Sequence, residues 1–292
     1  MLEFNDEMLM PQINALLYYE VYELENWLRR ICLTAYMLEF GDAWLSEIPE
    51  GILKGLQKRA CKAEDLVYLG IGKTDNPIWF TSLGQLEQLL EHDEISLRMQ
   101  NITEYSVRHL LSTISELREL RNVLAHNRAL SPKSFRFAVS IRQTLQHVIS
   151  NWKQAILYAR DTKGLRLTER GEYFADRVSD AFSHDFQVFL SSANGLYKLT
   201  RLPCSHRHFG QFFSARKAVT RYESVMDSIL AFAINISGTE YSILIPEKMS
   251  DASIEQVIDS FLEDLNVWTT IDYEQQEPEY VCHPKFWFYE NA

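Results

Sequence analysis

The stretch "LRELRNVLAHNRALSP", residues 117 to 132, sets Arg121 five positions before His126 and places Asn122 directly after the arginine. Those residue types suit cleavage of RNA without a metal. A histidine can move the proton of a 2'-hydroxyl or of a leaving oxygen, and an arginine can stabilise negative charge building on the phosphate. Spacing alone is a weak signal. Eighteen arginines and eight histidines should produce this separation less than once by chance, yet it occurs three times, at Arg121/His126, Arg142/His147 and Arg201/His206. Only the first has asparagine after the arginine and lies at the C-terminal end of a strongly periodic segment. On an ideal helix, residues five apart differ by roughly 140°. Arg121 and His126 would therefore converge only through the arginine's length or a distorted helix end, whereas Asn122 and His126, four apart, share a face. From the residues alone, the trio is either catalytic or the charged edge of an ordinary helix.

The elements that must position it read as helices. From Pro11 to Phe40, Ile13, Leu16, Leu17, Val21, Leu24, Leu28, Ile31 and Ala35 recur at steps of three and four, which predicts a long amphipathic helix ending near Gly41. A second helix is expected from Pro49 to about Ala63, with proline at its first turn. "LVYLGIGKTDNPIWF" breaks the pattern, and "TSLGQLEQLLE" restarts it with Thr81 or Ser82 as N-cap. A fourth helix is expected from about Thr103 to Ala129, carrying the trio, and a fifth from Pro132, capped by Ser131, to about Tyr158. Residues 1–160 thus read as an all-helical bundle.

Residues 161–171 read as a linker, and 172–292 as an α+β domain with a mainly antiparallel sheet. "FQVFLSSANGLYKLTRL" predicts two strands around a glycine-containing turn, and "ILAFAINISGTEYSILIP" a second hairpin across Ser237-Gly238. Helices are expected at roughly Phe209 to Met226 and Ala252 to Leu265. "VWTTIDYE" and "YVCHPKFWFYE" would supply a last pair of strands.

Composition narrows the function. The net charge of -11 argues against nonspecific coating of nucleic acid. The charge is uneven, however: residues 101–170 carry +7 and the rest of the chain -18. A basic segment in an acidic chain suits either a polyanion site or a solvated helical face. No apolar run approaches the roughly 20 residues needed to span a bilayer, and "MLEFNDEMLM" is acidic where a secretory signal is basic and then apolar. The expectation is a cytoplasmic protein with no membrane association. Cys32, Cys61, Cys204 and Cys282 show no C-x-x-C spacing, so most are expected to be buried, reduced thiols.

"ELRELRNVLAHN" resembles the signature of the HEPN superfamily (higher eukaryotes and prokaryotes nucleotide-binding domains): arginine, a polar residue often asparagine, then three to five residues and histidine, late on a helix of a small bundle. "YYEVYELENWLRRI" is similar to the first helix of these domains, where an acidic residue precedes a Leu-Arg pair. "FTSLGQLEQLLE" resembles the middle segment of the Swt1-like kind. The resemblance covers about residues 10 to 160. It implies a metal-independent endoribonuclease that needs no cofactor or metal ligands. Two copies pair through this domain so that the arginine and histidine of both line one cleft, and the products carry 2',3'-cyclic phosphate ends. Carried over by motif position, Arg121 would stabilise the scissile phosphate, His126 would be the acid/base, and Asn122 would position His126 or a phosphate oxygen. Glu23 or Glu25 on the first helix would support the site, and Arg118, Arg128 and Lys133 would contact the RNA backbone.

Such architectures resemble bacterial toxin-antitoxin and phage-defence effectors, in which a C-terminal domain senses, binds a protein partner or holds the nuclease in check. The competing expectation is a HEPN fold kept as a dimerisation and nucleotide- or RNA-binding module without turnover. One departure bears on control. HEPN toxins silenced by a nucleotidyltransferase usually carry tyrosine two residues after the histidine, where this chain has Arg128, so that mode of silencing is not expected.

Other motifs are weaker. "GIGKT" at 70 to 74 lacks the first glycine of a phosphate loop, because Val67 stands there. Cys204, His206, His208, Cys282 and His283 offer zinc-type donors at no standard spacing. The aromatics Phe212, Phe213, Trp268, Trp287 and Tyr289 read as core rather than as a surface for stacking bases.

Overall fold

The helix that carries the trio, α5 (Val107–Ala125), places Leu110, Ile114, Leu117, Leu120 and Leu124 on one buried stripe at helical spacing. In the computed structural model, which describes residues 10–64, 76–126, 132–156, 167–179, 186–203, 221–235, 241–268 and 286–289, five further helices precede or follow it in the N-terminal half. These are α1 (Met10–Phe40), α2 (Glu50–Glu64), α3 (Leu83–Leu90), α4 (Asp93–Thr103) and α6 (Pro132–Ile156). Ser82 is the N-cap of α3, and its hydroxyl and the Gln85 side chain close a reciprocal capping box. The single helix expected from Thr103 to Ala129 is shorter and preceded by another. Glu104 adopts a left-handed conformation (φ 52°) that ends α4, and α5 begins after Ser106. Asn151 of α6 donates to the Thr103 carbonyl at 2.6 Å, satisfying one of the groups that α4 leaves open at its C-terminus. The caps expected at Ser131 and the residues around "GIGKT" lie outside the described residues.

The C-terminal half is α+β. Strands β1 (Phe186–Ala193) and β2 (Leu196–Pro203) form a hairpin whose turn residues Asn194 and Gly195 both have positive φ, 56° and 80°. That turn matches the right-handed twist of the strands. Strands β3 (Ala231–Asn235), β4 (Tyr241–Pro246) and β5 (Phe286–Tyr289) complete a five-stranded sheet in the order β1-β2-β4-β3-β5. Four strands pair antiparallel, and β5 lies parallel to β3. A parallel neighbour needs a crossover, and α8 (Asp251–Trp268) lies in that connection. Val267 and Trp268, expected in a strand, instead close α8. The rest of "VWTTIDYE" and residues 204–220 lie outside the described residues; a short 3-10 helix, Glu223–Ser228, follows the latter.

Two helices fall where none is expected: α4, and α7 (Glu169–Ser179), which begins inside the segment read as a linker. Helix α7 buries only Phe174 and Val178 as large apolar residues and is held by ion pairs to α8. Arg170 reaches Asp251 at 2.6 Å, and Arg177 reaches Asp259 at 2.7 Å and Glu255 at 3.2 Å.

The chain divides into two compact units, Met1–Tyr36 with Ser46–Gln154, and Met37–Leu45 with Ala155–Ala292. The end of α1 therefore belongs with the C-terminal half, for local reasons. Asp42 accepts hydrogen bonds from the Ser250 amide at 2.9 Å and the Ser253 hydroxyl at 3.1 Å, at the start of α8. Burial pushes the Asp42 carboxyl up, but hydrogen bonds from Ser250 and Ser253 outweigh it and hold the group below its ordinary value. Gly41 has φ +57°, and a Cβ there would lie 2.1 Å from the Lys248 carbonyl oxygen. Gly41→Ala is expected to destabilise the protein by at least about 2 kcal/mol, from left-handed backbone cost plus the clash. Guanidinium unfolding checks this, and an unchanged midpoint would show that the close approach is not held in solution.

Among the described residues, no helix is long and apolar enough to cross a membrane. Cys32 is buried and Cys61 exposed.

Candidate functional site

At the end of α5 the burial pattern sorts the trio from the core. Leu120 and Leu124 are buried, whereas Arg121, Asn122, Ala125 and His126 are exposed. Positions four apart stack along a helix, so two adjacent columns face outward, Arg121 with Ala125 and Asn122 with His126. Ala125, in the column of Arg121, contributes only a methyl group to this face. His126 is the C-cap residue, with φ -93° and ψ 13°, and its amide donates to the Asn122 carbonyl at 3.3 Å. Asn122 thus fixes the backbone of His126.

Arg121 is oriented by α1. Its Nε lies 3.6 Å from Glu25 Oε1, beyond good hydrogen-bond reach, and its side chain stays 48% exposed. A contact this loose aims the guanidinium without consuming its donors, so a phosphate could still engage it through a bidentate pair. Glu25 is itself buried, and its other oxygen accepts from Arg29 at 3.0 Å. Arg29 is buried too. It donates to the Thr81 carbonyl through Nε at 3.2 Å and Nη2 at 2.8 Å, and to Asn26 Oδ1 at 2.8 Å. Burial lowers the Arg29 guanidinium from its ordinary value; Glu25 opposes that shift and Arg121 adds to it. One carboxylate therefore faces two guanidiniums, and the cluster carries net positive charge.

The other expected residues fall in different places. Of Glu23 and Glu25, the two expected to support the site, Glu25 is the one that meets Arg121. Glu23, about 200° round the helix from it, lines a groove of about 250 Å³ with Glu20, Leu24, Trp27, Ile149 and Lys153. Arg118 turns to α3, pairing with Glu87 and donating to Ser115 at 3.2 Å. Arg128 lies outside the described residues, and Lys133 lies in the first turn of α6. The second pair of the same spacing is occupied otherwise: Arg142 binds Glu20 at 3.0 Å, and His147 meets the edge of Tyr105. Arg201 of the third is buried within β2, and His206 lies outside the described residues, as do Cys204, His208, Cys282 and His283.

Arg29 falls in the Leu-Arg pair of the first-helix motif, and its spacing of four from Glu25 is that of a helical ion pair. Scans against protein-family models, curated proteins and solved structures gave no match to this chain.

Proposed function

We propose that the helical unit is a metal-independent endoribonuclease of HEPN type. The observation that carries this reading is the exposed face at the end of α5, where a half-exposed Arg121 aimed by Glu25 shares the helix surface with Asn122 and His126. A scaffold has no need to keep a guanidinium aimed outward beside an exposed imidazole. In the proposed reaction His126 takes the proton of a ribose 2'-hydroxyl, and the 2'-oxygen attacks the adjacent phosphorus. The bond to the 5'-oxygen breaks, and that oxygen leaves as a hydroxyl after taking a proton from an imidazolium. Arg121 stabilises the charge on the phosphate while the bonds change. The products are a 2',3'-cyclic phosphate and a 5'-hydroxyl.

Following the family resemblance, two copies pair through this unit, and the α+β unit binds the partner or trigger that controls cutting, as in a toxin or phage-defence effector. The test is cleavage of mixed RNAs in chelator with both new ends mapped, beside light scattering at micromolar concentration. Cyclic-phosphate ends and a dimer are expected. RNA binding without cleavage would favour a non-catalytic binding module, and a monomer at every salt concentration would remove the paired cleft.

A further inference from the structure

Helix α1 presents three large rings to solvent near this site: Tyr18, Tyr19 and Tyr22 are 51%, 62% and 53% exposed. Only Leu97, Phe137 and Tyr173 are comparable among the described residues. Tyr18, Tyr22, Glu25 and Arg29 follow one another at offsets of four, three and four, which at 3.6 residues per turn holds all four within about 60° of one another. Tyr22 stands about 4.5 Å and Tyr18 about 10.5 Å along the axis from Glu25. Tyr22 and Arg121 both lie close enough to Arg29 to act on its charge. Leu17, Val21, Leu24 and Leu28, roughly 100° round the helix from this column, are buried, so the column runs along the border of the core, with Glu25 and Arg29 buried and both tyrosines exposed. The rings thus form a track leading to the point where Arg121 meets Glu25.

We propose that Tyr18 and Tyr22 form a stacking platform for the bases of single-stranded RNA approaching the phosphate at Arg121, a subsite that rests on the nuclease reading above. Bases offer flat faces that stack on tyrosine whatever their identity, and the phosphates between them are anionic. The track supplies both complements, exposed rings and a cluster in which Arg29 and Arg121 share the one carboxylate of Glu25. An apolar partner surface would cover the rings but leave the surplus positive charge unmatched. The subsite therefore selects unpaired RNA, because bases in a duplex already stack on each other.

The test uses the full chain and a fluorescein-labelled twelve-nucleotide oligouridine, methylated at every 2'-oxygen so that it cannot be cut. Tyr18→Ala/Tyr22→Ala is expected to raise Kd in anisotropy about tenfold or more, and Tyr18→Phe/Tyr22→Phe to stay within about twofold. On the wild type, 5-iodouridine is expected to crosslink to the peptide bearing both tyrosines, a readout that holds even if the alanine pair folds poorly. Wild-type affinity in a folded alanine pair, or crosslinks only elsewhere, overturns the platform while leaving the nuclease reading intact. An alanine pair that dissociates a dimer with RNA affinity unchanged also overturns it, assigning the face to a second copy. A wild type that neither binds nor cuts RNA removes both readings.

Discussion

His126→Ala is expected to lower RNA cleavage by about 10²–10⁴-fold, the usual contribution of a positioned acid or base, while leaving the melting temperature unchanged. The two halves of that expectation have separate causes. The imidazole is exposed at the C-cap, and what fixes the helix end is the His126 amide on the Asn122 carbonyl, which alanine retains. Arg121→Ala is expected to be similarly inactive and stable, because among the described residues its ion pair is a 3.6 Å contact on a half-exposed side chain, and such pairs contribute little to stability. Arg121→Lys should not restore cleavage, since an ammonium cannot present two parallel donors to a phosphate. Cleavage of end-labelled RNA in chelator, beside circular dichroism melts, reads all three variants. If they cut as wild type does, the trio is surface decoration.

What could be read in the chain depended on whether its cause was local. Ser82 and Gln85 announce a capping box three residues apart, and Asn194-Gly195 announces a tight hairpin, because the groups that interact are neighbours in sequence. The break between α4 and α5 was hidden because the residue in the left-handed conformation is Glu104, where glycine or asparagine is the usual sign. Helix α7 was hidden because it leans on Asp251, Glu255 and Asp259, some eighty residues away, more than on an apolar stripe. The assignment of Met37–Leu45 to the C-terminal unit rests on contacts to Lys248, Ser250 and Ser253, which no periodicity within α1 encodes. At the site, the trio was legible from residue types. The choice of Glu25 over Glu23 was not, because it depends on which side of α1 faces α5.

Glu25 is the residue whose loss should separate folding from chemistry. Its carboxylate is buried between Arg29, at 3.0 Å, and Arg121, at 3.6 Å. Glu25→Ala strands the buried Arg29 charge on the Thr81 carbonyl and Asn26 alone, and breaking a buried pair from one side costs roughly 3–5 kcal/mol. A melting temperature lower by on the order of 10 °C is expected. Glu25→Gln keeps the shape and an acceptor oxygen, so it should destabilise less, yet it withdraws the charge that aims Arg121 and should still slow cleavage. The decisive variant is Glu25→Ala/Arg29→Met, which removes the stranded charge and fills its space with an apolar chain. Replacing both members of a buried pair is often neutral for stability, so melting should return toward wild type. Cleavage should not, because Arg121 still lacks its carboxylate. If activity returns with stability, Glu25 serves only the fold and Arg121 is aimed by its own helix. If neither returns, Arg29 holds the Thr81 segment in a way that methionine cannot replace.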